Sequence, residues 1–265
     1  MYQFTYHRPE SLSAAVAQLI ADGDAKALAG GQTLLPTMKQ RLASPSAIVD
    51  LGKIAELAGA TREGDAIVIG AMTRHADVAT NPAVHQAIPA LAELAEGIGD
   101  PQVRNKGTIG GSLANNDPAA DYPAAALALG ATIVTNKREI AADAFFKGLF
   151  ETALEPGELI TKVRFPIPQK AAYQKFPNPA SRYALVGVFV ARTGGGVRVA
   201  VTGAGANGVF RASAIEAALA SNFAAGALAD VNVPADGLNS DMHADAAYRA
   251  HLIGVLAKRA VTAAG

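Results

Sequence analysis

Apolar positions change period repeatedly along the first third of the chain. In "ESLSAAVAQLIADG", Leu12, Val16, Leu19 and Ile20 recur at helical spacing, with Ser11 as N-cap and Gly23 as stop. The apolar run "AKALAG" then reads as a short strand. After "GGQT", Leu34, Leu35, Met38 and Leu42 share a helical face, and Pro36 is tolerable in the first turn. The unit is strand, glycine turn, helix. "AIVDL" and "AIVIGAM" predict two more strands, a helix is expected near Thr73 with Asp77 in its early turns, and "IPALAELAEGIG" predicts another.

Further on, "YPAAALALGATIVT" predicts a helix followed by a strand, and "GELITKVRFPIP" a strand stopped by Pro166 and Pro168. "YALVGVFVART" and "GVRVAVTG" flank Gly194, Gly195 and Gly196 and predict a hairpin. The helix "RASAIEAALAS" follows, then a weakly patterned stretch to about residue 240, and a last helix through Tyr248, Leu252, Ile253, Leu256 and Ala260. Such alternation argues for mixed α and β layers. The proline-rich, polar stretch "PIPQKAAYQKFPNPASR" breaks the pattern and places a domain boundary near residue 170, giving units 1–170 and 171–265.

Two segments share one form. "AGGQTLLP" at 29–36 and "TIGGSLAN" at 108–115 each carry a Gly–Gly pair followed closely by a hydroxyl residue and a leucine. Glycines admit φ > 0 and leave N–H groups unobstructed, so each loop can wrap an anionic group such as phosphate. A glycine pair in a turn is commonly only a turn, but two matched loops can grip one diphosphate from two sides. The second lies within "KGTIGGSLANNDPAADYP", a run of turn-formers joined directly to an apolar helix.

Composition narrows the chemistry. The chain has 265 residues, half of them hydrophobic, enough for a substantial core. Its 23 basic and 23 acidic residues cancel with no long run of either sign, which argues against a nucleic-acid partner. It has no cysteine, so no disulfide, thiolate zinc site or iron–sulfur cluster is held by this chain, and redox chemistry requires an organic cofactor. The five histidines show no metal-ligand spacing. The N-terminus lacks the pattern of a signal peptide, and the apolar tract 124–134 falls short of the roughly 20 residues needed to span a bilayer, so a cytoplasmic location is expected.

A rival phosphate site is "VAVTGAGANG", where Gly203, Gly205 and Gly208 spell G-x-G-x-x-G after a strand. No convincing strand follows the next helix, Asp230 lies in loop-like sequence, and too little chain remains for a doubly wound domain. These glycines read as a strand-to-helix turn.

"AGGQTLLPTMK", "GAMTRHADV", "IGDPQVRNKGTIGGSLANNDPAADYP" and "GELITKVRFP", in this order, resemble the FAD-binding medium subunit of molybdenum hydroxylases of carbon monoxide dehydrogenase type, a module shared with xanthine dehydrogenases. The resemblance runs along essentially the whole chain. It implies an α+β fold: a two-subdomain FAD-binding domain of the vanillyl-alcohol-oxidase-like class, then a smaller C-terminal α+β domain with antiparallel strands. It implies that Ala29, Gly30, Gly31, Gln32, Thr33 and Leu34, with Thr108, Ile109, Gly110, Gly111 and Ser112, form the diphosphate cradle. Asp121 matches an acidic residue holding the polar part of the cofactor, Ile98 and Ile160 match apolar residues near the flavin, Lys175 a basic residue close to it, and Tyr183 a tyrosine against its ring system. Gln32 stands where many members carry histidine and Ser112 where asparagine is common; "PNPASRYALV" departs from the Arg/Asp-rich versions of that segment.

By resemblance the chain is an oxidoreductase subunit that accepts electrons from a small 2Fe–2S subunit. The substrate is oxidised in a large molybdenum-cofactor subunit, and the assembly is a dimer of heterotrimers. Read from the residues alone, other roles stay open: Asp121 as a helix cap, Lys175 as a solvated lysine, Tyr183 as core, and the chain as a non-catalytic nucleotide- or anion-binding module.

Overall fold

The computed structural model describes residues 1–265. The chain opens with a parallel three-stranded sheet in the order β1 (Thr5–His7), β3 (Ala47–Asp50), β2 (Lys26–Leu28). Helix α1 (Leu12–Ala21) packs on this sheet through Ala15; the Ser11 side chain accepts the Ala14 N–H as the expected N-cap. Helix α2 (Leu34–Lys39) follows the first glycine segment directly, with Pro36 in its first turn, where no intrahelical N–H is needed.

A five-stranded antiparallel sheet comes next, with β10 (Ile160–Pro166) at its centre between β5 (Ala66–Gly70) and β6 (Thr132–Thr135), and β4 (Ala60–Glu63) and β7 (Glu139–Ala141) at the edges. The helix expected near Thr73 begins at His75 and is divided, α3 (His75–Thr80) ending before Pro82, which starts α4 (Pro82–Ala87); the helix predicted over "IPALAELAEGIG" is α5 (Pro89–Glu96), opened by Pro89. Each proline can open a helix but cannot continue the preceding one. Two short helices follow, α6 (Pro101–Arg104) and α7 (Ile109–Asn115), then α8 (Tyr122–Leu129), buried on every side. After β7 come α9 (Ala142–Phe145) and the small hairpin β8 (Phe146–Gly148) to β9 (Glu151–Thr152).

The third sheet is antiparallel, in the order β11 (Lys170–Pro177), β12 (Ala184–Thr193), β13 (Gly196–Thr202), β14 (Phe210–Arg211). The predicted hairpin is β12–β13. Strand β12 is apolar on both faces because both are covered: Phe189 and Ala191 join the core around α8, while Val186, Val188 and Val190 join the core beneath α10 (Ser213–Ser221) and α11 (Ala246–Ala263). An antiparallel sheet with no parallel strand after α10 excludes a dinucleotide fold at Gly203–Gly208. That turn leads through β14 into α10. No helix is long and apolar enough to cross a membrane.

Candidate functional site

The first glycine segment connects β2 to α2. The N–H groups of its five residues Ala29, Gly30, Gly31, Gln32 and Thr33 donate to no acceptor in the chain. Gly31 adopts φ +72, the left-handed conformation that glycine takes without penalty. Gln32 folds back so that its side-chain amide donates to the Gly30 carbonyl at 3.1 Å. The segment rests on the second one: a Cβ on Gly30 would run into the Lys106 carbonyl and the Gly107 Cα, and a Cβ on Gly111 would lie 3.3 Å from that of Ala29. Leu34 is half-buried at the start of α2.

The second segment is the start of helix α7, which turn-former content hides in the sequence. Thr108 is its N-cap, its hydroxyl accepting the Gly111 N–H at 3.1 Å. The Ile109 and Gly110 N–H groups donate to the Thr73 and Ala71 carbonyls, and that of Ser112 to Thr108. The expectation that both loops offer free N–H groups therefore holds for the first only. Gly111 has helical backbone and needs no left-handed conformation; its lack of a side chain serves contact with Thr108 and Ala29. The second segment supplies the floor, the Ser112 hydroxyl, and cations on the segments that frame it: Arg74, Arg104 and Lys106 have no carboxylate partner.

Five unengaged backbone N–H groups, with Arg74 and Lys106 free of carboxylate partners on the adjoining segments, are donors of the kind a diphosphate takes. The residues present fit the FAD diphosphate.

A second group gathers Ile98, Asp121, Lys175 and Tyr183. Asp121 precedes α8, but its carboxylate does not cap the helix. It accepts from the Tyr173 hydroxyl at 2.6 Å and pairs with the Lys175 ammonium at 2.9 Å. Burial pushes the Asp121 carboxyl up, opposed by Lys175 and Tyr173, and burial together with the Asp121 charge pushes the Tyr173 phenol up. Lys175 is no solvated lysine: its side chain is 11% exposed and also donates to the Gly97 carbonyl at 3.1 Å. Beside it, Arg104 donates to the Ile98 and Gly99 carbonyls at 3.0 and 3.3 Å, and Arg182 to Gly99 at 3.4 Å. Cations from α6 and from the C-terminal sheet thus hold the half-buried Ile98 turn.

Tyr183, immediately before β12, is 47% exposed and is not core. Its phenol is raised by partial burial and by the charges of Asp117 and Asp121. Ile160 is buried at the start of β10, in the same apolar core as Ile109 of the second segment and Tyr173.

His75 and Tyr122 lie between the two groups. Their rings are 5.4 Å apart, the His75 ring packs on Gly107, and neither the His75 Nδ1 nor the Tyr122 hydroxyl has a hydrogen-bond partner. Sequence reasoning missed Tyr173, although it stands two residues from Lys175 on the same face of a strand. It also missed Arg104, which carries no signal apart from its contacts.

Residues 2–168 match the family described as the FAD binding domain in molybdopterin dehydrogenase. The chain is 38% identical to the carbon monoxide dehydrogenase medium chain of Hydrogenophaga pseudoflava, over 99% of this chain and 97% of that one. It is 36% identical to the nicotine 6-hydroxylase medium subunit of Paenarthrobacter nicotinovorans, over 98% and 96%. Its structure superposes on a chain of reconstituted carbon monoxide dehydrogenase from Oligotropha carboxidovorans with a TM-score of 0.89 at 35% identity, over 99% and 98%. The chain belongs to the FAD-binding domain family of molybdopterin dehydrogenases and is of the carbon monoxide dehydrogenase medium-chain type.

Proposed function

We propose that the chain is the electron-transfer subunit of a molybdenum hydroxylase complex, located in the cytoplasm, with its FAD-binding unit ending near residue 170. The observation that carries this is the row of unengaged N–H groups from Ala29 to Thr33, seated on the second glycine segment. In this reading Ala29–Leu34 donate to the diphosphate, and Thr108–Ser112 form the wall against which the first segment is braced. Asp121, set by Lys175 and Tyr173, holds the polar part of the cofactor. Ile98 and Tyr183 flank the ring system; Ile160 supports it only through the sheet core.

When bound, FAD supplies two-electron redox chemistry and the capacity to exchange electrons singly with an iron–sulfur partner. The chain has no cysteine, so the cluster belongs to a small 2Fe–2S subunit, and substrate oxidation to a large molybdenum-cofactor subunit. Two such trimers form the assembly, and an external acceptor takes the electrons. Relatives named for carbon monoxide and for nicotine resemble this chain almost equally, which suits a step shared by unlike substrates. Reduction of the bound flavin by substrate in the assembled complex, and its failure when the iron–sulfur subunit is omitted, tests this route. Equal reduction without that subunit overturns it.

A further inference from the structure

The G-x-G-x-x-G turn after β13 has no cofactor role in the reading above, yet its first residues touch the segment that carries Asp121. Thr202 is wholly buried, and its hydroxyl lies 2.6 Å from the Ala120 carbonyl and 3.1 Å from that of Pro118. The Gly203 N–H donates to the same Pro118 carbonyl at 2.8 Å. Asp121 follows Ala120 directly. On its other side Gly203, at φ +81, is pressed so closely on the Ala184 carbonyl that a Cβ would collide with it. Ala184 follows Tyr183.

The buried guanidinium of Arg249, on α11, closes the arrangement. It donates to the Leu185 carbonyl at 2.7 Å and to Gly203 at 3.0 Å, and pairs with Asp241 at 2.7 Å. One dipeptide, Thr202–Gly203, thus touches both the approach to Asp121 and the strand start behind Tyr183.

We propose that Thr202 is a positioning residue for the cofactor site, acting through the Ala120 carbonyl to fix the Asp121 carboxylate against Lys175 and Tyr173. This rests on the FAD reading of the site. A hydroxyl donor here fixes one backbone carbonyl, and valine keeps the side-chain shape while removing the donor and leaving that buried carbonyl unpaired.

The test compares Thr202→Val, Thr202→Ser and Leu252→Ala, the last removing apolar packing from the C-terminal core far from Asp121 in sequence. FAD dissociation constant, flavin absorption spectrum and melting temperature are measured on the preparation, chain or complex, in which the wild type holds FAD. Thr202→Val is expected to weaken FAD binding about five- to tenfold and to shift the flavin spectrum, with Thr202→Ser restoring both. Leu252→Ala is expected to lower the melting temperature and leave affinity and spectrum unchanged. Equal loss of affinity in Thr202→Val and Leu252→Ala, or none in Thr202→Val, overturns the proposal. If Thr202→Val does not fold, Thr202→Cys, a weaker donor, must show an intermediate loss, and wild-type affinity there counts against it. A wild type that takes up no FAD sinks the underlying reading instead.

Discussion

The Lys175 ammonium lies 2.9 Å from the Asp121 carboxylate, tying the first strand of the C-terminal sheet to the start of α8. Both side chains are nearly excluded from water, so each charge depends on the other. Lys175→Met leaves the carboxylate buried with only the Tyr173 hydroxyl, and breaking such a pair from one side costs about 3 to 5 kcal/mol. Adding Asp121→Asn should recover much of that loss, since no uncompensated charge then remains. Chemical denaturation of the two single variants and the double variant checks this. Additive losses would mean that the pair is not coupled.

Tyr183 gives the opposite expectation. At 47% exposure, its truncation to alanine should change stability by no more than about 0.5 kcal/mol, where a core tyrosine would cost several times that. FAD should stay bound, because the N–H row is untouched, while the flavin's reduction potential or its rate of reduction changes. Thermal unfolding and a redox titration of one preparation separate the effects. Unchanged flavin behaviour removes Tyr183 from the site.

Acid should act at two places. Burial, with the nearby Arg104 charge, pushes the His75 imidazole down to about 4 from 6.5. The unfolded chain therefore binds that proton first, and the stability from neutral His75 is complete above 6.5 and lost as pH falls through about 4. Glu158 is held down to about 2 from 4.5, chiefly by the Arg138 guanidinium, so its contribution is lost lower, as pH falls from 4.5 through about 2. In melting temperature against pH, His75→Gln should flatten the upper window and Glu158→Gln the lower. If each variant parallels the wild type across its window, that assignment is wrong.

Much of the fold was legible because its elements are bounded by strong local signals: Ser11 caps α1, and the triple glycine at 194–196 turns the β12–β13 hairpin. What was hidden depends on tertiary partners. Helix α7 reads as loop because its first turn is glycine-rich; it forms because Thr108 caps it and the Ala71 and Thr73 carbonyls hold its N–H groups. The residues of both glycine segments were evident from their matched form. Their division into a donor row and a supporting wall was not, since it depends on which N–H groups the rest of the fold has already engaged. Asp121 and Lys175 were named singly, but only the structure shows that each is the other's partner.

The most direct measurement is FAD released per chain on denaturation, compared between the wild type and Gly30→Val. Gly30 faces the Lys106 carbonyl so closely that any side chain must lift the first segment off the second and scatter its N–H row. The wild type should release about one FAD per chain, as a single diphosphate site implies, and Gly30→Val almost none, with circular dichroism unchanged. Full FAD occupancy in a folded Gly30→Val chain, or a wild type that cannot be loaded with FAD, would contradict the account.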